Sequence, residues 1–386
     1  MDMALVVRRL THPRATSTQT FLWVLRSFPF TGGGSTQDFA AFLDVAISVC
    51  DGGHAAAKRD ALGLLSTLLA QRGRVAHGFP MLDLDQVVYQ LALRVLEPRQ
   101  IDQGPYGLCG PAAFAVLLAK TDPVAYIRAA IELLTLGRTR IRGLDIRPNE
   151  GIRRHRPDRT PHADWLVLAS LRSSDDALED GMNTGEYGGT TYGVMVDWLK
   201  RAGYGVIVGG FAAHLTGTLK TLSSLPLIKS LDAWSCCEFY PQRPSFLNGI
   251  DLTRITDQAF NLFLADRFVK NHWKVFLLVS EKYTQTSGDR DPIEAALDPF
   301  RGMQGANLDA MRPNLVAQLV GGRMNHWVLA KEIHLGGDGT VRITRYSWGK
   351  KDTTAPISRE LFYTIYGGFV AVSTLDVHAA VANWHW

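Results

Sequence analysis

Before residue 98, apolar positions recur at helical spacing in three stretches: Phe39 to Val49, Ala55 to Arg72, and Leu84 to Leu96. The second carries Leu62, Leu64, Leu65, Leu68 and Leu69 as a stripe. Such spacing predicts amphipathic helices. Gly32-Gly33-Gly34-Ser35 and Gly78-Phe79-Pro80 punctuate them. After residue 98 the pattern changes. The Ala/Leu-rich run from Cys109 to Ala119 predicts a buried helix. Val194, Met195, Trp198, Leu199 and Ala202 mark another, closed by Gly203 as a C-cap. Short apolar runs at Gly205–Val208, Lys274–Val279 and Gly368–Val372 predict strands. Met324–Ile333 and Thr340–Arg345 predict two more, joined through Gly336-Gly337-Asp338-Gly339 as a hairpin. The expected class is α+β. A helical module spans 1–98, and a second domain spans 99–386 with insertions at 138–162 and 281–322.

Composition adds limits. At 386 residues, 46% hydrophobic and 20% charged, the chain has enough apolar material for a substantial core. No apolar run reaches the ~20 residues of a membrane span, so no transmembrane segment is expected. Cys50, Cys109, Cys236 and Cys237 form no CxxC or Cys/His metal spacing. Reduced thiols, no metal and no cofactor follow as expectations. The first 30 residues lack the order of a secretory signal, and Asp2 is their sole acid. A flexible N-terminus in a protein made in the cytoplasm is expected there.

Charge is concentrated in one place. Arg138, Arg140, Arg142, Arg147, Arg153, Arg154, Arg156 and Arg159 face only Asp145, Glu150 and Asp158. Eight against three leaves +5, more than the +4 of the whole chain. Pro148, Pro157 and the scarcity of large apolar residues after Ile152 predict a loop. An acidic or phosphate-bearing partner would suit it. No aromatics interleave with these arginines, so specific nucleic-acid recognition is not expected.

The candidate chemistry centres on Gln103-Gly-Pro-Tyr-Gly-Leu-Cys109-Gly110. A thiol at a helix start faces free backbone N–H groups and the positive end of the helix dipole, which favour the thiolate. Gln103, six positions upstream, can direct an amide N–H to the place where an oxyanion would form. Far along the chain, His326 opens a strand in Met324-Asn-His-Trp, and the following strand runs into Tyr346-Ser347-Trp348-Gly349. Folding the hairpin brings His326 back toward residues 346–349. Which of Tyr346 and Ser347 faces it depends on the turn. His272, in a second Asn-His-Trp triplet, is the rival base.

These motifs resemble papain-like cysteine peptidases, and in pattern are closest to bacterial bacteriocin-processing peptidase-like domains. The resemblance covers about residues 100–375, with its specific motifs at 103–119 and 325–349. It implies a central helix carrying the nucleophile, packed on an antiparallel sheet. Cys109 would be the nucleophile and His326 the base, with Gln103 and the Cys109 N–H as the oxyanion hole. Trp348 and Gly110 would support the site. An Ser-Trp-Gly is kept, but Tyr346 stands where the family has the Asn that orients the imidazole. Tyr346, Ser347 or a carboxylate such as Asp352 would have to serve; Asp338 belongs at the hairpin tip. The implied activity is hydrolysis of an amide in a protein or peptide, in a bacterial effector or toxin delivered without a signal peptide. The same machinery could deamidate glutamine or transfer an acyl group. A degenerate, non-catalytic binding module is the alternative from another class.

Overall fold

The computed structural model describes residues 2–11, 17–27, 30–51, 54–71, 78–174, 190, 192–210, 238–240, 258–280, 324–347, 350–354, 356–359, 362–363 and 366–373. The chain divides into two compact units. One holds Met1–Gly188 with Trp348–Lys350, the other Gly189–Ser347 with Lys351–Trp386. The expected division at residue 98 does not coincide with this boundary, because helices on both sides of it pack within the first unit.

The first unit is helical. Its N-terminus is not the flexible segment expected from composition. Helices α1 (Met3–Leu10) and α2 (Thr18–Ser27) bury Met3, Val6, Leu10, Phe21, Leu22, Val24 and Leu25, which outweighs the polar residues between them. Asp2 caps α1, accepting the Leu5 N–H at 2.9 Å. The three periodic stretches form α3 (Thr36–Ser48), α4 (Ala55–Ala70) and α5 (Leu84–Leu96). Ser35 and Asp38 close a capping box on α3, and Asp83 caps α5. Phe21, Phe30, Phe39, Phe42 and Tyr89 join in an aromatic cluster, with centroids 4.9 Å apart for Phe30–Tyr89 and 5.4 Å for Phe42–Tyr89. Helices α6 (Cys109–Thr121) and α7 (Pro123–Leu136) follow. Helix α6 is buried from Cys109 through Ala119, as an all-apolar helix should be.

The basic segment is not a loop. It begins with strands β1 (Thr139–Ile141) and β2 (Leu144–Ile146), paired so that Arg140 stands opposite Asp145. Helix α8 (Glu150–Arg154) is capped by Asn149. Ile141, Leu144, Ile146 and Ile152 are all buried. Alternation over strands of three residues is too short a signal to read beneath so many arginines. Helix α9 (His162–Ser173) completes the unit.

The second unit opens with α10 (Tyr192–Arg201). Gly203 ends it in the left-handed region at φ 81°, with Tyr204 N–H bonded to the Leu199 carbonyl at 3.0 Å. Strands β3 (Gly205–Gly210), β4 (Glu238–Tyr240), β5 (Lys274–Ser280), β6 (Met324–Leu335), β7 (Thr340–Ser347), β8 (Lys350–Thr353), β9 (Ile357–Ser358) and β10 (Tyr366–Ser373) form one sheet. Its order is β4-β3-β10-β5-β6-β7-β8, with β9 also on β7, and each pairing whose register is resolved is antiparallel. Helix α11 (Gln258–Lys270) lays Leu262, Leu264, Ala265 and Phe268 against one face. That face carries Val275, Leu277, Val279, Val328, Ala330, Phe369 and Ala371. The architecture is α+β: helices, then an antiparallel sheet packed against helix. The expected insertion at 281–322 lies outside the described residues. Among the described residues no helix is long and apolar enough to cross a membrane.

The repeated Asn-His-Trp triplet has a local explanation. His272 sits just past α11 at φ 66°, where Trp273 N–H reaches the Phe268 carbonyl at 3.0 Å. Trp273 is buried against Phe268, centroids 5.1 Å apart, while the His272 side chain is exposed. The triplet ends a helix, in a conformation that costs a residue with a Cβ ~1 kcal/mol or more. His272→Gly is therefore expected to raise the urea midpoint of unfolding, by about 1 kcal/mol of stability. A lower midpoint would mean that the imidazole makes a contact worth more than the backbone strain.

Candidate active site

Cys109 is the first residue of α6. Leu108 precedes it with no side-chain cap, and Pro111 has no N–H to donate in the first turn. The Cys109 side chain is 4% exposed, and like Cys50 it is a thiol outside any disulfide. Burial pushes the Cys50 thiol above its ordinary pKa. Gly110, the second residue of α6, is buried beside Cys109.

Gln103 is 5% exposed on the loop between the turn Pro98–Gln100 and α6. Its amide Nε2 donates to the Tyr106 carbonyl at 3.4 Å. A primary amide has two N–H groups, so one remains for another acceptor. Several bonds hold the backbone around it. Asp102 N–H donates to Asp164 Oδ2 at 3.0 Å, and Gly104 N–H to Asp102 Oδ1 at 2.9 Å. The Thr160 hydroxyl donates to the Gln103 carbonyl at 3.1 Å. The Tyr106 hydroxyl donates to Asp158 Oδ1 at 3.0 Å, which holds the Asp158 carboxyl below its usual range. Gly104 sits at φ 62°, and a Cβ there would collide with the Thr160 hydroxyl and stand 3.1 Å from the Arg159 carbonyl. Only glycine fits at that position.

All three outside supports of this loop come from residues 158–164, at and just past the end of the insertion expected at 138–162. Asp164 is itself fixed by a bidentate pair with Arg94, Nε to Oδ1 at 3.0 Å and NH2 to Oδ2 at 2.6 Å. Burial works against the Arg94 charge, but the Asp164 carboxylate more than restores it, leaving the guanidinium above its ordinary pKa. Trp165 packs against His155 with the rings tilted by 38° and centroids 4.5 Å apart, and meets Tyr106 edge-on at 5.2 Å. Sequence reasoning missed this frame. Arg94 and Asp164 are 70 residues apart, and no local pattern links them. Of the eight arginines, Arg140 pairs with Asp145 at 3.5 Å, Arg154 with Glu150 at 2.6 Å and Arg159 with Asp158 at 3.9 Å. Exposed pairs of this kind contribute little stability.

His326 belongs to the other unit. It lies near the start of β6, opposite Val279 of β5, and is 2% exposed. Burial, then the nearby Arg345 guanidinium, push its pKa down to about 3. The register explains the arginine. From the tip, β6 and β7 pair regularly as far as Glu332 opposite Thr344. A bulge at Lys331 then shifts the pairing, so that Ala330 faces Arg345 and Leu329 faces Tyr346. Side chains alternate along a strand. His326, Val328, Ala330 and Arg345 therefore share one face, and Tyr346 occupies the other with Leu329. Without the bulge, Tyr346 would have shared the face of His326.

The hairpin tip forms as expected. Gly336 N–H bonds to the Thr340 carbonyl at 2.9 Å, and Asp338 accepts from the Thr340 N–H and hydroxyl at 3.0 and 2.7 Å. Asp338 is thus spent on the turn, and the Thr340 bonds lower its pKa. The Ser347 and Asp352 side chains, and all of Trp348, lie outside the described residues. Trp327, next to His326, donates its Nε1–H to the Thr190 carbonyl at 2.8 Å. Among the described residues no three His, Cys, Asp or Glu side chains are grouped to hold a metal ion.

No protein-family model, curated protein or solved structure matches this chain.

Proposed function

We propose that the chain is a thiol-dependent amide hydrolase of the papain-like kind, acting on a protein or peptide. One observation carries the reading. Cys109 opens the buried helix α6 with no side-chain cap, six residues after a Gln103 whose carbonyl accepts from Thr160 and whose neighbours Asp102 and Gly104 are held through their N–H groups. Cys109 and His326 stand on different units, and the motifs of the sequence are what pair them.

In this reading the Cys109 sulfur attacks an amide carbonyl carbon while the His326 imidazole takes the thiol proton. The oxyanion is met by the second Gln103 N–H and the Cys109 backbone N–H. The imidazolium returns its proton to the leaving amine, and water then hydrolyses the thioester. Glutamine deamidation would differ in the leaving group alone, and acyl transfer in the final acceptor. Burial, then the Arg345 guanidinium, favour the neutral imidazole, so in this reading it acts as a base. An anionic partner at Arg138–Arg159, and delivery as a bacterial effector or toxin, belong to the same reading and rest on charge and resemblance.

A second reading, a non-catalytic binding module, is favoured by one observation. Arg345, not Tyr346, shares the face of His326. An arginine disfavours an imidazolium, and the family's orienting position is not filled by a hydrogen-bond acceptor from Tyr346.

Thiol alkylation separates the two. With iodoacetamide near pH 6, the first reading expects Cys109 to label about tenfold or more faster than Cys50, and His326→Ala to erase that advantage. Slow labelling of all four cysteines at one rate would leave the binding module.

A further inference from the structure

We propose that Thr160 is a positioning residue for the oxyanion donor Gln103. The inference rests on the hydrolase reading above and adds a residue that reads from sequence as part of a surface loop. Thr160 is 4% exposed, and its hydroxyl donates to the Gln103 carbonyl at 3.1 Å. The same hydroxyl fills the space above Gly104, which takes φ 62° there. On one side of Gln103 the Asp102 N–H is pinned to Asp164, and on the other the Gly104 N–H is pinned to Asp102. Thr160 holds the Gln103 carbonyl in that turn.

Two peptide planes flank the Gln103 Cα, and they set where its side chain can point. The second plane holds the Gln103 carbonyl and the Gly104 N–H together, so Thr160 and the Asp102 carboxylate fix it from its two edges. The Gln103 amide is then committed to one direction, with one N–H on the Tyr106 carbonyl at 3.4 Å and the other aimed away from it. An oxyanion donor works through such preorganisation, because it meets the developing charge with no reorganisation at the moment of reaction. Thr160 would act on the transition state through Gln103 and would touch neither substrate nor sulfur.

The test uses two electrophiles on the full-length protein. Iodoacetamide alkylates a thiolate by displacing iodide; a C–S bond forms, a C–I bond breaks, and no oxyanion develops. N-acetylglycinal adds the thiol across its C=O; the C–S bond forms, the π bond breaks, and the oxygen takes the proton. That adduct passes through an oxyanion, and its missing side chain asks nothing of a specificity pocket. Thr160→Val removes the hydroxyl at nearly constant shape. It is expected to weaken the aldehyde adduct about tenfold, part of the ~10² cost of losing a donor outright. The iodoacetamide rate at Cys109 should stay at the wild-type value, and Thr160→Ser should restore aldehyde affinity.

Equal aldehyde affinity in wild type and Thr160→Val would overturn the positioning role, as would a parallel loss of both reactions that Thr160→Ser does not rescue. A wild-type Cys109 that labels quickly with iodoacetamide but forms no aldehyde adduct would also overturn it, since no oxyanion site would exist to position. Failure of the hydrolase reading itself looks different: Cys109 would then label no faster than Cys50 with iodoacetamide.

Discussion

Asp164→Asn is expected to cost the first unit about 3–5 kcal/mol of stability, the range for leaving a buried charge without its partner. The Asp164 side chain has no exposure and that of Arg94 only 6%. Removing the carboxylate charge leaves the guanidinium in a site that cannot hydrate it. The Tyr126 hydroxyl nearby is buried without a hydrogen-bond partner and offers no relief, its pKa raised by burial and by the Asp164 charge. The double replacement Arg94→Met with Asp164→Leu should cost far less than the sum of the two singles, because both charges leave together. It should still cost ~1–3 kcal/mol, because the Asp102 N–H loses its acceptor. Urea midpoints of the wild type, Arg94→Met, Asp164→Leu and the double variant measure the cycle. Additive single effects would mean that water reaches the pair.

The same residues show where sequence reading stops. Helices α3, α4 and α5, the turn at Gly336–Gly339 and the Gly203 cap were legible because each depends on a period or on turn residues within a few positions. The stretch 155–164 was not. Its role comes from bonds to Arg94, Asp102, Gln103 and Tyr106, which lie far away along the chain. The excess of arginine visible over 138–159 falls mainly on the hairpin and helix before it and carries no sign of these bonds.

The candidate site was legible to the same degree. Cys109 falls at a helix start and His326 near a strand start, as local pattern foretold. Which residue shares the face of His326 was not foreseeable, because a one-residue register shift between Ala330 and Glu332 decides it. Counting back from the turn without the bulge puts Tyr346 on the face of His326. Counting with it puts Arg345 there. Converting Tyr346 to the asparagine of papain-like peptidases should therefore leave the imidazole as it is, because the new amide would lie on the other face with Leu329.

That exchange of a tyrosine for an arginine has a thermodynamic consequence. His326 is neutral when folded, with its pKa held near 3 by burial and by Arg345, and it titrates near 6.5 when unfolded. Between those values the unfolded chain binds one more proton than the folded one. Stability is therefore fully present above about pH 6.5 and is lost as pH falls toward the folded pKa, at up to ~1.4 kcal/mol per unit. From pH 6.5 to 4.5 the loss should be roughly 2–3 kcal/mol, before most carboxylates begin to protonate. His162 adds to the same side. Its Nδ1 accepts the Asp83 N–H at 3.0 Å, and burial lowers its pKa. The two are separable: His326→Gln should flatten the pH dependence of the sheet unit, followed by Trp327 fluorescence, and His162→Asn that of the helical unit. An unchanged slope in His326→Gln would show that the imidazole charges without cost in the fold. Arg345 would then be far enough away to tolerate an imidazolium, and the objection it raises to a catalytic His326 would disappear with it.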